Sequence, residues 1–134
     1  MTKNVLILCN DNSSLSIMAQ AILNKNLKGI KVESASIKKT KTLNKDVKKA
    51  LIKDGSFEES YHAKSLDTLS DLNFDLVILM SQTPAKNLPD FSDDTAVIEI
   101  EYEEPNYTNS TNIERFLKTI KMELIPITRD ILEL

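Results

Sequence analysis

The sequence predicts an α/β protein: a three-layer α/β/α sandwich around a central four-stranded, mostly parallel sheet. Three observations carry this. Residues 4–8 and 74–80 are short, almost uninterrupted apolar runs, as expected of strands buried on both faces. Segments of helical period alternate with strand-like ones along the chain, which implies crossovers and a parallel sheet. Finally, 134 residues with 41% apolar and 28% charged content suit one globular core, and hence a single domain over 1–134.

Each element has a local reason. The first strand is 4–8. In 14–27, Leu15, Met18, Ala19, Ile22 and Leu23 take the i, i+3, i+4, i+7, i+8 spacing of a helix, with Ser13 or Ser14 as N-cap and Gly29 as its stop. Ile30, Val32, Ala35 and Ile37 mark a second strand over 30–37. A helix over 44–53 starts at Asn44, buries Val47, Ala50 and Leu51, and ends before Gly55. Residues 61–63 suggest a weak extended segment, and 65–72 a short helix capped by Ser65 with Leu66, Leu69 and Leu72 on one face. The strand at 74–80 precedes a long loop with Pro84 and Pro89, then a fourth strand at 96–100 and a loop over 102–109. The last helix begins at Asn109 or Ser110 and runs through Ile113, Phe116, Leu117, Ile120 and Leu124. Pro126 should kink it before it resumes.

Composition narrows the function classes. The net charge of -3, with lysines spread along the chain, argues against nucleic acid as the main partner. No apolar run approaches the roughly 20 residues of a membrane span. The run from Val5 to Leu8 is too short for a signal-peptide core, so a cytoplasmic location is expected. A lone cysteine, Cys9, forms no internal disulfide, and with one histidine, His62, it is too little for the usual zinc sets. No metal or cofactor is expected.

The stretch of greatest chemical interest is residues 5–16, VLILCNDNSSLS. Cys9 stands where the first strand gives way to a polar loop, and a helix follows. Loop N–H groups and the positive end of a helix dipole lower a thiol pKa and bind anions. In parallel sheets the carboxyl ends of strands are also where ligands bind. On the residues alone other readings stand beside this one. Cys9 also fits an inert buried thiol. Asn12, Ser13 and Ser16 fit turn and cap residues. Leu15 fits the apolar stripe, Glu103 and Glu104 fit a solvated acidic loop, and His62 a surface histidine. Tyr102 and Tyr107, beside Pro105, suit a pocket rim or simple surface positions.

The 5–16 stretch followed by Met18-Ala19-Gln20-Ala21-Ile22-Leu23 resembles the opening of the low-molecular-weight protein tyrosine phosphatases and the thioredoxin-coupled arsenate reductases. Those proteins begin with an apolar strand, a Cys-x5-Arg-Ser phosphate loop containing an Asn, and a helix starting Met-Ala-Glu or similar. The likeness continues through Val32-Glu33-Ser34-Ala35, Lys64-Ser65-Leu66-Asp67, Phe74-Asp75-Leu76-Val77-Ile78, Glu103-Glu104-Pro105 and the last helix. It implies that Cys9 is the nucleophile, that Asn12 holds the loop's unusual backbone, and that Ser16 donates a hydrogen bond to the thiolate. It also implies that the backbone N–H groups of Asn10, Asp11, Asn12, Ser13, Ser14 and Leu15 cradle an oxyanion. Glu104 falls at the general-acid Asp of an Asp-Pro pair, one methylene longer. The ligand would be a small oxyanion (phosphate, sulfate or arsenate) or a phosphotyrosine protein.

Three departures bear on activity. Leu15 occupies the position of the family Arg, whose forked donors bind the equatorial oxygens. The two further reductase cysteines align with Ser81 and Leu88, so the intramolecular disulfide relay has no thiols to use. The loop lacks the glycine common after the nucleophile, and Asp11 brings negative charge to an anion site. The expectation is a phosphatase-like or arsenate reductase-like protein with weak or absent catalysis. Two alternatives stay open: a non-catalytic anion- or protein-binding module, and a single-cysteine redox protein that uses an external thiol.

Overall fold

The computed structural model describes residues 2–9, 14–37, 42–69, 73–80, 88–102, 105–107 and 109–134. Four strands, β1 (Lys3–Cys9), β2 (Ile30–Ser36), β3 (Leu76–Met80) and β4 (Ala96–Ile100), form one sheet in the order β2-β1-β3-β4, with every pairing parallel. Among the described residues there are also three helices, α1 (Leu15–Asn26), α2 (Lys45–Asp54) and α3 (Ser110–Ile131), and a 3₁₀ turn at Leu66–Thr68. The fold is a three-layer α/β/α arrangement.

Side-chain alternation explains the layers. Val5, Ile7 and Cys9 of β1, with Leu76, Ile78 and Met80 of β3, point to one face and join a core with α1, α2 and α3. Leu6, Leu8, Ala35, Val77 and Leu79 point to the other face. There the half-buried Leu66, Leu69, Phe74, Leu88 and Phe91 cover them. Because β1 and β3 are buried on both sides, their sequences read as continuous apolar runs. β4 at the sheet's end reads as an alternation, with Val97 and Glu99 exposed and Ala96, Ile98 and Ile100 half-buried.

The topology also places the candidate site. β1 lies between β2 and β3, so the chain leaves β1 toward one side of the sheet and later fills the other. Such a reversal opens a crevice at the carboxyl ends of the strands, and Cys9 is the carboxyl-terminal residue of β1.

Several local expectations change. α1 stops at Asn26 because Leu27 turns extended, and Gly29, at φ +76°, makes the turn into β2 rather than capping the helix. Gly55 is an αL cap of α2 as expected, its N–H reaching Ile52 O. The weak strand at 61–63 is absent. Instead Ser65 makes an isolated parallel bridge to Ser36. In the described part of the helix expected at 65–72, Leu66–Thr68 form a 3₁₀ turn and Leu69 is extended. Ser65 Oγ accepts from Asp67 N, and Thr68 Oγ1 donates to Ser65 O, so side chains close a local turn in place of a helical ladder. Leu72, and Pro84 of the long loop, lie outside the described residues. α3 runs as one 22-residue helix through Pro126, with no interruption after which to resume. Pro126 sits on the exposed side, where water can meet the carbonyl left without a donor.

Candidate active site

Cys9 ends β1 in register with Ser36 of β2, and its carbonyl accepts from Ile37 N at 3.2 Å. Ser36 is itself fixed from the far side, its N–H donating to Lys64 O at 2.9 Å. The thiol is buried, at 5% exposure. Its Sγ lies 3.0 Å from the buried Ser16 Oγ. With the thiol protonated, Cys9 donates to Ser16. With the thiolate, the same distance suits donation from the Ser16 hydroxyl. Ser16 reaches this place because α1 begins at Leu15, so its first turn rises directly beside the strand end.

Leu15 is 3% exposed and belongs to the helical-face core, alongside Cys9 and Ile17. Its side chain is packed as a hydrophobe. Ser14 stands at the N-cap of α1 and is buried, but its side chain makes no capping hydrogen bond. Asn10, Asp11, Asn12 and Ser13, with Glu103 and Glu104, lie outside the described residues, as does Ser81. Leu88, at the other reductase-cysteine position, packs on the second face of the sheet. Both arginines, Arg115 and Arg129, are exposed on α3.

Tyr102 and Tyr107 are half-buried. Both set their rings edge-on to Phe116 of α3, at 5.8 and 6.5 Å between centroids. Burial, then the nearby charge of Glu123, pushes the Tyr102 hydroxyl up to about 12. His62 is exposed, with Nδ1 2.8 Å from Ser60 O. Among the described residues no group of three or more His, Cys, Asp and Glu side chains converges as a metal site. No helix there is long and apolar enough to cross a membrane.

Sequence reasoning passed over a polar network one turn below the thiol. Gln20 Nε2 donates to Val32 O at 2.9 Å, and Ser34 Oγ donates to Gln20 Oε1 at 2.7 Å. Asn24 accepts from Val32 N and donates to the Tyr61 hydroxyl, tying α1 to β2 and to the segment after α2. Gln20 and Ser34 are both buried. The available signal was Gln20 standing four residues after Ser16 on an otherwise apolar stripe. Such satisfied groups fix one register of helix on sheet.

The sequence model of the low molecular weight phosphotyrosine protein phosphatases matches residues 4–131. The chain belongs to that family. Among solved structures, an arsenate reductase from Archaeoglobus fulgidus DSM 4304 is 25% identical at a TM-score of 0.76, over 92% of this chain and 97% of that one. A low molecular weight protein tyrosine phosphatase from T. tengcongensis is 22% identical at a TM-score of 0.75, over 99% of this chain and all (100%) of that one. A thioredoxin-dependent arsenate reductase from Corynebacterium glutamicum is 20% identical at a TM-score of 0.73, over 98% of this chain and 62% of that one. No curated protein matches the sequence. The phosphatase-family fold thus hosts both hydrolases and reductases among these relatives, and the residues at the Cys9 end must decide between chemistries here.

Proposed function

We propose that this chain is a phosphatase-family protein that keeps the nucleophile's position and has lost most of its turnover. In this reading residues 1–134 are one domain, and Asn10, Asp11, Asn12, Ser13, Ser14 and Leu15 form an anion-binding loop. The ligand is a small oxyanion (phosphate, sulfate or arsenate) or a phosphotyrosine side chain on a protein. The observation that carries the reading is Leu15, a buried hydrophobe at the loop-to-helix junction where the family places a guanidinium.

The chemistry follows from what remains. A Cys9 thiolate attacks phosphorus, an S–P bond forms, and the P–O bond to the leaving group breaks. Glu104 hands that oxygen a proton, and water then cleaves the thiophosphate. Ser16, 3.0 Å from Sγ, steadies the thiolate. At position 15 a leucine, not a guanidinium, faces the charge that builds on the equatorial oxygens. Loss of such an arginine lowers phosphoryl-transfer rates by about 10³–10⁵.

The test is hydrolysis of p-nitrophenyl phosphate by the wild type, Cys9→Ser and Leu15→Arg in parallel, with phosphate binding followed by calorimetry. The wild type is expected near the Cys9→Ser background yet to bind phosphate, and Leu15→Arg to raise turnover or tighten binding. Fast wild-type turnover abolished by Cys9→Ser overturns the loss of activity. Absence of phosphate binding in both the wild type and folded Leu15→Arg overturns the anion loop.

A further inference from the structure

The lysines are less evenly spread than the net charge suggests. Seven fall within residues 38–53, while residues 90–104 hold seven Asp and Glu and no Lys or Arg. The fold places the described parts of these two stretches on different faces of the sheet. On α2, Lys45, Lys48, Lys49 and Lys53 are exposed along one side, spaced i, i+3, i+4, i+8, and Ile52 is 56% exposed among them. The opposite side of α2 packs into the helical-face core through Val47, Ala50 and Leu51. On β4, Val97 is 45% exposed, with Glu99 beside it on the second face of the sheet and Glu101 just beyond.

Among the described residues most of these charges form no ion pair. Among the described residues Asp90, Asp93, Asp94, Glu99 and Glu101 form no ion pair, and neither do Lys45 and Lys49. Lys48 lies over the Phe57 ring, and Lys53 pairs with Glu114. The α2 face is therefore mainly basic, with Asp46 and Glu114 at its margin, and the β4 end acidic, each around a single exposed aliphatic side chain. One copy cannot bring its own two patches together, because α2 lies in the helical layer and Val97 on the far face of the sheet. β4 is also the last strand of the sheet, so no described strand covers its outer edge.

We propose that this chain associates head to tail, the lysine face of α2 in one copy seating on the acidic β4 end of the next, with Ile52 against Val97. The contact joins two different patches, so it propagates into a ring or a chain rather than closing as a two-fold dimer. Exposed ion pairs contribute little individually and are screened by salt, so the association is weak and depends on ionic strength. It is independent of the chemistry at Cys9.

Sedimentation velocity across a concentration series tests this at about 0.01 M and about 1 M salt, where the screening length falls roughly tenfold. The wild type should show a mass rising with concentration at low salt and a monomer at high salt. A double reversal, Lys45→Glu with Lys49→Glu, should be monomeric alone. So should Glu99→Lys with Glu101→Lys. An equimolar mixture of the two should associate again through the untouched patches. Ile52→Gln, which leaves every charge in place, should weaken the wild-type association several-fold. A monomeric wild type at low salt overturns the proposal. So does association that survives either reversal, association unaffected by Ile52→Gln, or a mixture of folded variants that stays monomeric. Capture of the wild type by phosphatidylserine vesicles without self-association assigns the lysine face to a membrane instead, and equally overturns it.

Discussion

On the helical face of the sheet, Val5, Ile7, Ile78 and Met80 are sealed by side chains from three helices. On the opposite face, Leu6, Leu8, Val77 and Leu79 are covered by half-buried side chains, two of them from and beside a 3₁₀ turn. The strands contribute equally apolar residues to both faces, so the difference lies in what closes over them. Cys9, Leu15 and Ser16 all belong to the helical side, with Cys9 and Leu15 in its core. The base of the candidate site is thus built into the half of the molecule that α1, α2 and α3 cover. A change of charge or volume there acts on stability as well as on chemistry.

The sharpest way to break this comparison is truncation on each face. Ile22→Ala, at a fully buried position of α1, should cost about 2–5 kcal/mol in urea denaturation. Leu69→Ala, at a half-buried position on the other face, should cost about 1 kcal/mol. Equal losses would show that the second face is as tightly closed as the first. A second contrast concerns helix starts. Asn44 Oδ1 accepts from Asp46 N and Val47 N at 2.9 and 3.1 Å, so Asn44→Ala should lower stability by about 1 kcal/mol. Ser14→Ala, which removes no capping bond, should lose less than half as much.

At the thiol itself, Ser16→Ala removes the group 3.0 Å from Sγ. If that hydroxyl steadies the thiolate, alkylation of Cys9 by iodoacetamide at pH 7 should slow several-fold, matching about 1 kcal/mol. An unchanged rate would make Ser16 a packing residue only. The smallest effect concerns Asp54. Burial pushes its carboxyl up, but hydrogen bonds from Lys121 and Ser56 and the charges of Lys121 and Lys25 outweigh this and hold its pKa below the usual value. A depressed folded-state pKa contributes stability above the unfolded value, and that stability is lost as pH falls through the folded value. Asp54→Asn should therefore cost about 1 kcal/mol or less at pH 7, with the difference from wild type shrinking below about pH 4.

Legibility in the sequence followed how local each cause was. β1 and β3 were readable because burial on both faces leaves an unbroken apolar run. α2 was readable because Asn44 and Gly55 cap it through bonds within a few residues. The turn at Leu66–Thr68 reads as the start of a longer helix because Leu66 and Leu69 stand at helical spacing, while Ser65 and Thr68 spend their hydroxyls on the local backbone. At the site, it is the resemblance to the family's phosphate loop that singles out Cys9 and Ser16, whose side chains lie 3.0 Å apart. Gln20, Ser34 and Asn24 were not legible, because their partners are strand backbone and a distant tyrosine.

By itself the sequence determined the order of strands and helices, the thiol at the end of β1, and the hydrophobe at position 15. These are set by periodicity, capping and residue identity along a few turns of chain. Only the tertiary structure decided that Leu15 and Cys9 share one core and that Ser16 stands 3.0 Å from the thiol. It alone separated the lysine face of α2 from the acidic end of β4. Those relations depend on which face of the sheet each element packs against, a choice made by long-range burial that no local stretch of sequence encodes.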